Sequence, residues 1–339
     1  RAAATEGARS YMATSGTISQ TNFTTRKVQE NALRRCRLPA EQITPEISDI
    51  ANDQLYLILS DLANQGAPLW CIDKVIVPLY PGVMDVTLDS KVVDILNSTF
   101  RTLSEITGSD NVTSTIYEVT LSEATFLTTV GILWSGASVP IAIEQSEDGA
   151  TWVTIQSETP SATADEWTWY DLEASVAFQY IRVRATSGTL DIDTLYLGNN
   201  PSEITLSRMN RDDYTNLPNK FFQSNRPYQY WFDRQIPNPI MHMWPVPDAS
   251  ATVYQLVLWV HRYIMDVGSL TQTLEVPQRW FKAIVTQLAA NLARELFQVD
   301  PQIIPMLDAD AAQALALAQA EERDNSPMMI APNISAYTS

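Results

Sequence analysis

Two histidines, two cysteines and one crowded aromatic segment hold most of the reactive chemistry this sequence could offer. His242 stands in IMHMW and His261 in LWVHRYI. A histidine base needs a nucleophile to activate, and a zinc site needs ligands spaced as HExxH, HxH or paired cysteines. Neither histidine has such neighbours along the chain, so no zinc is expected at either, and His242 reads as a hydrogen-bonded structural group. Cys36 and Cys71 lack the CxxC spacing, and two cysteines in 339 residues make no disulfide framework. They read as reduced, buried thiols. The chain holds no GxxxxGK[ST] or GxGxxG phosphate cradle, so neither a metal nor a nucleotide cofactor is expected.

The segment from Ser224 to Asp248, SNRPYQYWFDRQIPNPIMHMWPVPD, concentrates Arg226, Tyr230, Asp233, Arg234 and Trp244 among five prolines. Paired acid chemistry requires two carboxylates facing each other at a set separation, which this spacing does not supply. Arg226 instead offers a planar donor array for a carboxylate or backbone carbonyls, and Asp233 a partner for Arg234. Pro227, Pro237, Pro239, Pro245 and Pro247 remove donors and fix backbone angles, which makes short extended pieces and turns rather than a helix. Elsewhere, core packing is the leading reading of Trp134, Trp167 and Trp169, which would stack on a sugar ring only if they reached the surface.

The elements that must position these groups differ along the chain. Residues 1–24 are rich in Ala, Gly, Ser and Thr and read as a flexible arm. Helical spacing of Val28, Ala32, Leu33 and Cys36 predicts a helix from Thr25 to Leu38, ended by Pro39. Its other face carries Arg26, Lys27, Arg34, Arg35 and Arg37, a basic surface suited to an acidic protein neighbour. Thr44 as cap and Pro45 at the first helical position open a second helix through Ile47, Ala51, Leu55, Ile58 and Leu62. Short apolar runs follow, as in WCIDKVIVPLYPGVMDVTL. Strand-like runs then dominate residues 110–198, which predict a β-sandwich or jelly roll. After a linker near Gly198–Pro201, ATVYQLVLWVHRYI is expected to complete the sheet begun around Lys74–Leu88. Helices from Pro277 and from Asp300-Pro301 close the ordered chain, with Asn325–Ser339 as a tail.

The net charge is −17, from 39 acidic and 22 basic residues, and more than half of the excess lies in residues 110–198. Broad nucleic-acid binding is disfavoured by that balance, because cooperative phosphate contact needs a basic surface. No apolar run is long enough for a membrane-spanning helix, the opening residues lack the apolar core of a signal peptide, and no membrane anchoring is expected.

PYQYWFDRQIPNPIMHMWPVP, then LVLWVHRYI, then VPQRWFKAIVTQLAANLARELF together resemble the head-to-tail adaptor proteins of short-tailed and related bacteriophages. The resemblance implies an α+β chain: a helical adaptor core with a small β element, split into 25–109 and 199–324. An inserted β-sandwich at 110–198, similar to discoidin-type or carbohydrate-binding jelly rolls, would interrupt it. It further implies a homo-oligomeric, twelve-membered ring at the head–tail junction of the virion, without enzymatic activity. The portal protein, tail or nozzle proteins and fibres would be partners, and DNA would pass without being read. Arg226, Pro227, Tyr230, Asp233, Arg234, Trp244, Pro245 and Pro247 would shape ring contacts. Met328, Met329, Ile330, Pro332, Ile334 and Tyr337 would dock on a partner within the tail 325–339. The alternative is a carbohydrate-binding tail or surface module, and behind it a polysaccharide hydrolase.

Overall fold

Residues 24–38, 44–64, 69–172, 177–251, 253–264 and 270–322 are described by a computed structural model of the protein. The chain divides into a β unit, Ile72–Arg262, and a helical unit made from both chain ends, Arg1–Cys71 with Tyr263–Ser339. The expected arm 1–24, apart from Thr24, and the tail residues Met328 to Tyr337 lie outside the described residues.

Five α-helices are described: α1 (Thr25–Arg35), α2 (Pro45–Asn64), α3 (Arg211–Thr215), α4 (Phe281–Glu295) and α5 (Ile304–Glu321). All but α3 belong to the helical unit. Their starts follow local chemistry. The Thr44 hydroxyl accepts the Ile47 N–H at 3.4 Å at the start of α2, and the Asp300 carboxylate accepts the Gln302 N–H at 2.9 Å, capping the 3-10 turn Pro301–Ile303 that leads into α5. Ile47, Ala51, Leu55, Ile58 and Leu62 are buried along one stripe of α2 and join Leu288 and Leu292 of α4 in a single core. The first helix stops sooner than its periodicity suggests, because Arg37 turns the backbone at φ 61° before Pro39 is reached.

The strands of the β unit are β1 (Ile72–Pro78), β2 (Asp85–Thr87), β3 (Val92–Glu105), β4 (Gly108–Val112), β5 (Ile116–Thr125), β6 (Thr129–Trp134), β7 (Ile141–Ser146), β8 (Val153–Glu158), β9 (Trp167–Asp171), β10 (Phe178–Ala185), β11 (Ile192–Thr205), β12 (Ser207–Arg208), β13 (Gln223–Ser224), β14 (Gln229–Asp233), β15 (Ile240–Trp244), β16 (Val246–Pro247) and β17 (Gln255–Arg262). Six of them form one antiparallel sheet in the order β1-β17-β3-β11-β6-β9. Its outermost strands touch, and Lys74 of β1 forms an ion pair with Asp171 of β9, so the sheet curls into a near-closed barrel.

Strict alternation sends one set of side chains inward and the other outward. Inside lie Trp167, Trp169, Tyr196, Ile76, Leu103 and Leu133. On one part of the outer surface Val130, Ile132, Trp134 and Leu197 pack under the second sheet, β4-β5-β10-β7-β8, giving the sandwich core. On another part Phe100, Leu256, Leu258 and Val260 pack against Tyr230, Phe232, Met241 and Met243 of the third sheet, β12-β14-β15-β2.

The pairing of β1 with β17, Ile72 opposite His261, is the sheet the sequence anticipates. The expected architecture is otherwise overturned. The fold is predominantly β, and the strands assigned to a small β element share one continuous sheet with β6, β9 and β11, which were assigned to an insertion. The physical reason is the length of β3 and β11, 14 residues each, which pair across both regions. Gly198–Pro201, expected as a linker, is instead a bulge within β11, with Asn200 at φ 48°.

Candidate functional site

On the outer surface of the barrel, Phe100 and Thr102 of β3 stand beside Ile204 of β11, which the register places opposite Phe100. Tyr254, just before β17, meets the Phe100 ring edge-on at 5.1 Å. The chain between β13 and β14 arches over this patch and contributes Asn225, Arg226 and Tyr228. The result is an open groove of ≈ 390 Å³ with an aromatic floor and a polar lip.

Tyr228 is fixed in place before any ligand arrives. Its N–H donates to the Trp244 carbonyl at 3.0 Å, and its carbonyl accepts the Ser207 N–H at 2.9 Å. Its hydroxyl shares a hydrogen bond with the Ser224 hydroxyl at 3.1 Å. The ring nevertheless stays 42% exposed. Pro227 is buried beside it, and Arg226, partly buried, sets its guanidinium over the Tyr228 ring at 5.3 Å.

Arg226 differs from the other arginines of the β unit. Arg101, Arg182, Arg184, Arg208, Arg211, Arg234 and Arg262 each face a carboxylate, whereas Arg226 has no acidic partner among the described residues. Glu203 is close in sequence to the groove residue Ile204 but points inward, where the Arg101 guanidinium holds it at 2.6 Å. None of the groove's lining residues is an acid, a histidine or a cysteine. The groove can therefore hold and orient a ligand through its aromatic rings, an amide and a guanidinium.

The remaining expected residues serve the fold. Tyr230 is buried in the third-sheet core, Pro245 and Pro247 are buried, and the Trp244 indole N–H donates to the Asn219 carbonyl at 2.9 Å. Arg234 pairs with Asp94 at 2.9 Å, not with Asp233, which accepts from Gln235 at 2.6 Å. Trp134 is fully buried, and Trp167 and Trp169 stack on each other at 5.0 Å inside the barrel. Their rings are committed to packing, so none presents a face for a sugar. In the basic helix Arg26 pairs with Glu30 at 2.9 Å and Arg35 with Asp310 at 3.7 Å; Lys27, Arg34 and Arg37 are exposed.

His242 does act as a structural group: its Nδ1 lies 2.6 Å from Asp85 and its ring stacks on Trp231 at 4.7 Å. The buried Nε2 of His261 has no hydrogen-bond partner among the described residues; burial lowers its pKa and favours the neutral ring. Tyr228, Asn225 and Tyr254 escape a sequence reading. The one signal was the RPY tripeptide, in which proline holds an arginine and an aromatic at a set angle.

No family model and no curated protein matches this chain. Among solved structures, part of it is similar to a family 32 carbohydrate-binding module from a family 31 glycoside hydrolase of Clostridium perfringens. There the identity is 13%, over 39% of this chain and 96% of that one, with a TM-score of 0.23. It is also similar to the family 32 module of AlyQ, solved in complex with 4,5-unsaturated mannuronic acid, at 18% identity over 32% of this chain and 97% of that one, with a TM-score of 0.24. A glycoside hydrolase is matched over 24% of this chain and 18% of its own length, at 18% identity and a TM-score of 0.21.

The adaptor resemblance is corrected on the fold: the body is a β-barrel flanked by sheets rather than a helical core with a small β element. With that family go the twelve-membered ring, the portal, tail, nozzle and fibre partners, the DNA passage and the virion location.

Proposed function

We propose that this protein binds carbohydrate without altering it, through the groove beneath Asn225–Tyr228. The observation that carries the reading is the immobilised, half-exposed Tyr228 ring set beside an amide and a guanidinium. A sugar ring offers an apolar C–H face and a rim of hydroxyls. An aromatic floor takes the first, and planar donors and acceptors take the second. Fixing the ring in the free protein spares about 0.5–1.5 kcal/mol of side-chain ordering on binding. The lining carries no pair of carboxylates of the kind glycoside hydrolysis uses, which favours recognition over cleavage.

Calorimetric titration of the intact chain against a panel of neutral and acidic oligosaccharides tests this. At least one is expected to bind, and Tyr228→Ala to weaken that binding about tenfold or more, which corresponds to roughly 1.4 kcal/mol. Failure of the whole panel to bind, or binding indifferent to Tyr228→Ala, would sink the proposal.

A further inference from the structure

The geometry points to a sugar bearing a single carboxylate as what the groove takes; this inference rests on the carbohydrate-binding reading above. Arg226 is the argument. In a chain of net charge −17, where the other arginines of the β unit sit against acids, one partly buried guanidinium remains without an acidic partner among the described residues. Its guanidinium carbon lies 5.3 Å from the centre of the Tyr228 ring at the lip of the groove, within reach of a ligand held there. A planar fork of donors matches a carboxylate in two-point geometry, and a charge-assisted pair of this kind is about twice as strong as a neutral hydrogen bond.

Asn225 and Thr102 add neutral donors and acceptors for hydroxyls, and Tyr228, Tyr254 and Phe100 supply the apolar floor. Net negative charge sets the limit on the ligand. A polyanion would be disfavoured by the chain's net negative charge, whereas one carboxylate is governed by its contact with Arg226, because charges beyond about 8–10 Å are screened at physiological salt. A lone hexuronic-acid residue on an otherwise neutral glycan fits both conditions.

The test uses the full chain and three compounds: a glucuronic-acid-terminated disaccharide, the same disaccharide with its carboxyl reduced to the alcohol, and an acetylated dipeptide with a free C-terminal carboxylate. The uronate is expected to bind about ten- to a hundredfold more tightly than its reduced form, the range that a hydrogen bond to a charged group contributes. Arg226→Gln should remove that difference, bringing the uronate's affinity down to about that of the reduced sugar, and Tyr228→Ala should weaken both sugars. Circular dichroism would confirm that each variant is folded.

Equal binding of the two sugars, or a preference that survives Arg226→Gln, overturns the carboxylate assignment and leaves carbohydrate recognition standing. No binding of either sugar overturns both. Equal binding of the dipeptide would make the site a general carboxylate clamp and overturn the sugar assignment.

Discussion

At the scale of single residues the strongest constraint is Arg101, 4% exposed within the barrel. Its guanidinium reaches Asp171 at 2.7 Å and Glu203 at 2.6 Å, and Lys74 supports Asp171. Burial alone would raise both carboxyl pKa values, but the hydrogen bonds and charge of Arg101, with Lys74 on Asp171 and Thr99 on Glu203, outweigh it and hold them below the ordinary range. A carboxyl with a lowered folded-state pKa contributes stability at neutral pH. That contribution is lost as pH falls below the unfolded value of about 4 and through the folded one. Arg101→Leu is expected to cost about 3 kcal/mol at pH 7, since it strands two carboxylates around an apolar site. It should also flatten the fall in melting temperature between pH 5 and pH 3. Thermal melts of both proteins across that interval check both outcomes, and an unchanged slope would show that the network adds no net stabilisation.

At the scale of elements, the helices were legible because their causes are local: Thr44 and Asp300 as caps, Pro45 and Pro301 behind them, and apolar spacings of three and four. Individual strands were legible for the same reason. Their partners were not, because β3 pairs with both β11 and β17, and nothing in a run of alternating residues names the strand beside it. The groove shared this obscurity, since Thr102, Ile204, Tyr228 and Tyr254 meet only once the sheet has formed. Trp167 and Trp169 misled because an indole reads alike whether it fills a core or faces a ligand. Gly131 shows how tightly these strands fit: a Cβ there would overlap the Trp169 ring on neighbouring β9. Gly131→Ala is expected to destabilise by about 1–3 kcal/mol, measured by urea unfolding, because the buried ring has to move.

At the scale of the whole molecule, the β unit begins and ends on neighbouring strands, with Ile72 paired to His261. A unit whose ends meet can be excised without stretching either one. Residues 72–262 expressed alone are expected to unfold in one cooperative transition, and non-coincident fluorescence and circular dichroism curves would contradict this. The helical unit stands in the opposite position, because α1 and α2 bury their stripes in a core supplied by α4, and the Cys36 thiol donates to the Ala289 carbonyl at 3.3 Å. Translation runs at about 5–20 residues per second, so the early helices leave the ribosome on the order of ten seconds or more before the helix that covers them. In the finished protein burial pushes the Cys36 thiol up to about 11, which makes it slow to alkylate. On a stalled nascent chain ending at Arg262 it should label readily, so the same thiol reports when the two ends of the chain have found each other.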